Sequence, residues 1–184
     1  MLYDLRRSDA RVRWLVTLLL ATLGVAYVFG AWMVGMYAGF TPRSVAATYV
    51  EPSMMNMSMP AETTTVVEHD VTLEDMGHEE QHQVDRALLI QDTHVHVPMY
   101  GVIAAMLSIV ALGLAIPRWM GFALITLLFA APWLDFMGMW LTKLASPRFA
   151  IVTLAGGWAM GLGYTIVAAL AFWQMWRPEK GAQQ

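Results

Sequence analysis

Residues 97–141 read VPMYGVIAAMLSIVALGLAIPRWMGFALITLLFAAPWLDFMGMWL. Two apolar runs stand back to back here, Val97–Ile116 and Trp119–Leu141, parted only by the turn PRW at 117–119. A helix needs about 20 apolar residues to cross a bilayer core, and each run meets that length. So short a turn forces the two helices into an antiparallel hairpin.

Two more runs of this kind flank the hairpin. Trp14–Phe40 precedes it, and Phe149–Trp176 follows it through the short link TKLASPR. The sequence therefore predicts an all-α integral membrane protein, a four-helix bundle. The first run follows a basic start, as a signal peptide would, but a signal core is only about 7–15 residues long. It is read as a retained anchor, with cleavage as the alternative. The bulk composition agrees, at 58% hydrophobic residues and a mean hydropathy of +0.50. A net charge of -3 gives no reason to expect nucleic acid. With no cysteine, disulfides and thiolate metal sites are excluded. The chain divides into 1–40 (N-terminus and first span), 41–96 (loop), 97–176 (three-helix transmembrane unit) and 177–184 (tail).

Basic residues near span ends set orientation. Arg6, Arg7, Arg11, Arg13, Arg118, Arg177 and Lys180 fall on one side of a four-span chain. Arg43, Arg86, Lys143 and Arg148 fall on the other, together with a long loop rich in Asp and Glu. The expectation is a bacterial inner-membrane protein with both termini cytoplasmic and residues 41–96 in the periplasm. Small residues let transmembrane helices approach closely. Gly35 and Gly39 in the first span, with Ala26 and Gly30 before them, and Gly157 and Gly161 in the fourth are the expected contact positions, within the bundle or with another subunit.

The first part of the loop reads as irregular or partly extended. It contains MMNMSMP, in which Met55, Met57 and Met59 alternate and share one side of an extended backbone. Thioethers are soft donors that suit Cu(I). They are equally the flexible apolar side chains that pack on a membrane or a partner. From Thr72, with Asp75 in a capping relation, a juxtamembrane helix is expected to about Gln91. All five histidines (His69, His78, His82, His94 and His96) lie in this loop, gathered toward the second span. At about 100° per residue, His78 and His82 share a helix face. Asp92 and His96 return to within about 40° of it, and His94 points away. Pro98 disfavours helix at Val97, so an extended THVHVP that puts His94 and His96 on one side is the other possibility. Asp135 lies inside the third span, near the height of Met99 and Tyr100. An ionisable residue at membrane depth is a functional candidate by default. Its structural alternative is a carboxyl bonded to Tyr100, Trp133 or Thr142.

Four chemistries fit these residues. Copper, or zinc, on His78, His82, Asp92, His94, His96 and Asp135 is the leading one, since imidazole suits both metals and carboxylate can complete the shell. A b-type haem on His94 or His96 with Met137 or Met139 is a second. The HEEQH stretch formally matches the zinc-peptidase helix, with Glu79 as base, although composition alone generates this pattern readily in so His- and Glu-rich a segment. The fourth is a solvated acidic helix that binds nothing.

DTHVHVPMYGVI and LDFMGMWLTKLASPRFAIVTLAGGWAMGLGY resemble small bacterial inner-membrane proteins in which a His-x-His box opens one helix and an LDxGGxWL-like stretch lies in the next. The likeness covers His94 to Trp176 and departs from the pattern at Met137, where a second glycine is expected. The His-x-His box also loosely resembles one in larger haem–copper-associated membrane proteins. The small family has no assigned activity, so the resemblance implies a small membrane bundle and no chemistry. The expected role is a non-catalytic accessory subunit of a larger membrane complex, redox or copper-related, or else a purely structural subunit without metal.

Overall fold

The computed structural model describes residues 3–50 and 86–177. Within them lie α1 (Ala10–Tyr37), α2 (Pro42–Tyr49), α3 (Arg86–Leu112), α4 (Arg118–Leu144) and α5 (Ala150–Trp176). Short 3-10 turns stand at Leu5–Arg7 and Pro147–Phe149, and the described residues contain no strand. Four helices are long and apolar enough to cross a membrane: α1, α3, α4, and α5 with the turn before it. The protein is a multi-pass, all-α membrane bundle. Its loop end carries α2 and the start of α3; its termini end carries the start of α1 and the end of α5.

Local chemistry sets the boundaries. α1 stops where Gly39 takes φ 70°, a left-handed conformation that glycine adopts without strain. The N–H groups of Ala38 and Gly39 both donate to the Val34 carbonyl, at 2.9 and 2.8 Å. The stretch after it departs from the irregular reading, since residues 42–49 form α2. Its first turn explains why. The Ser44 N–H donates to Thr41 Oγ1 and the Thr41 N–H to Ser44 Oγ, both at 3.1 Å, a reciprocal cap with Pro42 in the first turn.

The second correction concerns Pro98. α3 runs unbroken from Arg86 through Pro98 to Leu112, which removes the extended THVHVP alternative. Proline withholds only the one N–H that would bond the His94 carbonyl. Such a loss is tolerated in membrane helices, where neighbouring helices and local adjustment compensate. The second span and the end of the juxtamembrane segment are thus one continuous helix. Residues 72–85 of the expected juxtamembrane helix lie outside the described residues.

Packing is tightest between α4 and α5. A Cβ on Gly156 would fall 2.7 Å from the Cα of Asp135, and one on Gly138 would collide with the backbone of Thr153. Tyrosines hold α1 to α5. Tyr164 Oη donates to the Leu20 carbonyl at 2.6 Å across Gly24, Tyr27 lies over Gly161, and the two rings stack at 5.8 Å. Of the glycines expected as contacts, Gly161 meets α1, and Gly39 meets Ser44 at the start of α2. Gly30 and Gly157 face open space, Gly35 meets Phe40 of its own segment, and Gly39 is a helix terminator. Spacing alone does not distinguish a buried glycine stripe from one facing lipid.

The termini end is closed by the N-terminal segment. Leu5 is fully buried, its N–H bonds the Gly113 carbonyl at 2.9 Å, and Tyr3 Oη bonds the Ile109 carbonyl at 2.9 Å. Arg13 donates to the carbonyls of Arg6, Ser8 and Met175. Gln174, buried nearby, accepts from the Ala115 N–H at 2.8 Å.

Candidate functional site at the mouth of the bundle

At the loop end, α2, the first turns of α3, the last turns of α4 and the start of α5 meet around two small apolar clusters. One holds Val45, Ala46 and Ala150, and the other Leu89, Phe136 and Met139; Tyr49 packs against both. Leu89 is fully buried, which fixes the rotation of α3 at the mouth. On that rotation Thr93 faces α4, where its Oγ1 accepts from Trp140 Nε1 at 3.0 Å and donates to the Leu89 carbonyl at 2.7 Å.

One turn of α3 then carries the polar pair. His96 Nδ1 lies 2.9 Å from Asp92 Oδ1 and 2.8 Å from the Asp92 carbonyl. Their side chains are 33% and 46% exposed, so the pair is open to the mouth. The His96 ring also packs on Tyr100, and Tyr100 on Phe136, each at 5.8 Å between centroids. The four-residue spacing predicts this meeting of Asp92 and His96. His94 is exposed, on the other side of the helix.

Asp135 is half-buried in α4, beside Phe136 and against Gly156, about two and a half turns from the helix end. It is within electrostatic range of Asp92 and His96. Among the described residues its carboxylate forms no hydrogen bond. Of the expected structural partners, Thr142 donates to the Gly138 carbonyl at 2.7 Å, Trp133 is exposed, and Tyr100 packs on Phe136 within electrostatic range of Asp135 without bonding it. Tyr49 was not singled out in the sequence, yet burial, and then the charges of Asp135 and Asp92, push its phenol above its ordinary pKa. It was passed over because it lies on α2, in the stretch read as irregular.

The arrangement brings Asp92, His96 and Asp135 into one electrostatic neighbourhood and leaves His94 outside it. Among the described residues no three His, Asp or Glu side chains are close enough together to hold a metal ion. Met55, Met57, Met59, His78 and His82, with Glu79 of the HEEQH match, lie outside the described residues. Of the methionines considered for haem, Met137 faces outward and Met139 is buried in the apolar cluster.

A family of transmembrane helical domains matches residues 39–182, well over half of the chain. The chain belongs to this family, Aq_1264_TM. The match begins at the Gly39 terminator, so the family unit comprises α2 to α5 with the loop between, and α1 precedes it. It also extends upstream of the His94–Trp176 likeness noted in the sequence. No curated protein and no solved structure matches the chain.

Proposed function

We propose that this Aq_1264_TM member is a non-catalytic accessory subunit of an inner-membrane complex that binds copper, or else zinc, at the loop end of its bundle. The observation that supports the reading best is the orientation of His96. A metal-binding histidine characteristically gives one ring nitrogen to a carboxylate or carbonyl and the other to the metal. The Asp92 carboxylate and carbonyl take the Nδ1 side of His96, so the lone pair of the neutral ring is on Nε2. In this reading Asp92 orients the ligand rather than binding the ion, and the Asp135 carboxyl lies deeper in the mouth.

The rest of the shell comes from the exported loop. His78 and His82 add imidazoles suited to Cu(II) or zinc, Met55, Met57 and Met59 add thioethers suited to Cu(I), and His94, on the other side of α3, stays peripheral. In this reading both termini are cytoplasmic and the loop is periplasmic, which the basic residues of the termini end support. Metal analysis of the purified full chain, beside a variant with His94 and His96 changed to alanine, tests the proposal. Metal in the natural chain and its loss from the variant support it; equal content in both rejects it.

A second reading, a purely structural subunit, draws on α1. This helix is the least buried of the four spans and turns Phe29, Trp32, Met33, Met36 and Tyr37 outward as one apolar shelf. It predicts metal-free protein that co-purifies with other membrane chains. A b-type haem would instead declare itself as a Soret band.

A further inference from the structure

The termini end carries a second feature, which the mouth does not explain. Among the described residues this end carries six basic side chains, Arg6, Arg7, Arg11, Arg13, Arg118 and Arg177, against two acidic ones, Asp4 and Asp9. The fold draws four separate segments into one rim. The 3-10 turn at Leu5–Arg7 is tied to the α3–α4 connection by the Leu5 N–H to Gly113 carbonyl bond, 2.9 Å. The start of α1 is tied to the end of α5 through Arg13 and the Met175 carbonyl, 3.3 Å. It is tied again through Trp176 Nε1 and Thr17 Oγ1, also 3.3 Å. Arg13 serves as an internal fastener, but Arg6, Arg7, Arg11, Arg118 and Arg177 are all exposed on the rim. Among the described residues none of these five forms an ion pair. Of the nearby carboxylates, Asp4 accepts from the Arg6 backbone N–H at 3.0 Å.

Exposed aromatic side chains stand beside this rim. Trp14, Trp119, Trp173 and Trp176 are each more than half exposed, and Arg177 lies over the Trp173 ring at 4.6 Å. Tryptophan favours the headgroup level of a bilayer, so these rings mark the depth at which the guanidinium groups sit. Guanidinium forks match phosphate oxygens bidentately, and each basic residue near an anionic leaflet adds about 1 kcal/mol of attraction.

From this we infer that the rim Arg6, Arg7, Arg11, Arg118 and Arg177 is a binding collar for the phosphodiester headgroups of anionic phospholipids. The collar also has a mechanical consequence. α1 is the least buried span, and headgroups bridging Arg6, Arg7 and Arg11 to Arg118 and Arg177 tie its base to α3, α4 and α5 from outside.

The test is lipid retention by the full-length protein in nanodiscs of mixed phosphatidylcholine and phosphatidylglycerol, read by native mass spectrometry of the released protein. The expected result is enrichment of phosphatidylglycerol over its bulk share, on the order of fivefold for each arginine that engages, falling as salt is raised. Arg6→Gln with Arg7→Gln, both side chains exposed on a short turn, lowers the enrichment several-fold. Arg43→Gln with Arg148→Gln, at the opposite end, leaves it unchanged. Retention of phosphatidylglycerol at its bulk share by the natural chain overturns the inference. So does an equal loss from both double variants.

Discussion

The imidazole of His96 is held at 2.9 Å from the carboxylate of Asp92, one helical turn away on α3. This contact gives the mouth of the bundle its chemical direction, because it decides which ring nitrogen is free. If the free nitrogen binds an ion, Asp92 acts through His96. Asp92→Asn is then predicted to weaken metal affinity about 10–100-fold while the helix stays intact, as removal of such orienting carboxylates generally does. Competition against a chelator of known affinity measures this, with circular dichroism to confirm that the fold is unchanged.

Gly156 is the point where α5 meets the backbone of Asp135, and a methyl group there has no room. Gly156→Ala is predicted to destabilise the bundle by about 1–3 kcal/mol through overpacking. Gly157→Ala, one residue on and facing open space, is predicted to stay within about 0.5 kcal/mol. Thermal unfolding of the two variants in the same detergent compares them directly.

Tyr164 reaches from α5 to the Leu20 carbonyl on α1. Hydrogen bonds between membrane helices average about 0.6 kcal/mol, and Tyr164→Phe is predicted to cost about that much. Its clearer effect is on α1, the least buried of the spans. Cross-linking between cysteines introduced at the termini ends of α1 and α5 should become slower or less specific in the variant, while cross-linking between α4 and α5 should not change.

Tyr49 lies outside the spans, and burial together with the Asp135 and Asp92 charges raises its phenol pKa. The folded protein therefore keeps this proton at pH values where the unfolded chain has lost it. Below the unfolded value, about 10, the phenol is neutral in both states and the shift has no effect. As pH rises past that value the unfolded state releases the proton first, so stability falls. Tyr49→Phe is predicted to flatten this alkaline loss and to leave the stability curve at neutral pH nearly parallel to that of the natural chain. Denaturation midpoints measured across the alkaline range test the sign.

The spans and their pairing were legible because apolar length and short turns are properties of the local sequence. The same is true of the Asp92–His96 contact, which follows from four-residue spacing once the segment is helical. What hid the continuity of that helix was Pro98, whose preference against helix at Val97 is outweighed by the packing of Leu89, Val97 and Tyr100 against α4. α2 was obscured by residues that favour turns in general but here form a reciprocal cap, Thr41 with Ser44. Which glycines meet a helix of the same chain was not legible, because Gly156, against the backbone of Asp135, and Gly157, facing open space, differ only in helix rotation, and that rotation is fixed by the whole bundle. Asp135 was identified from its charge at membrane depth. That it has no hydrogen bond among the described residues depends on where Trp133 and Thr142 point, which the sequence does not encode locally.

The most direct test of the account is a Cu(II) titration of the metal-stripped full chain, comparing the natural protein with His96→Ala and with His94→Ala. The orientation of His96 into the mouth, and of His94 away from it, predicts unequal results. His96→Ala should abolish saturable binding, whereas His94→Ala should retain most of the affinity. Undiminished copper binding by the His96→Ala protein would contradict the account.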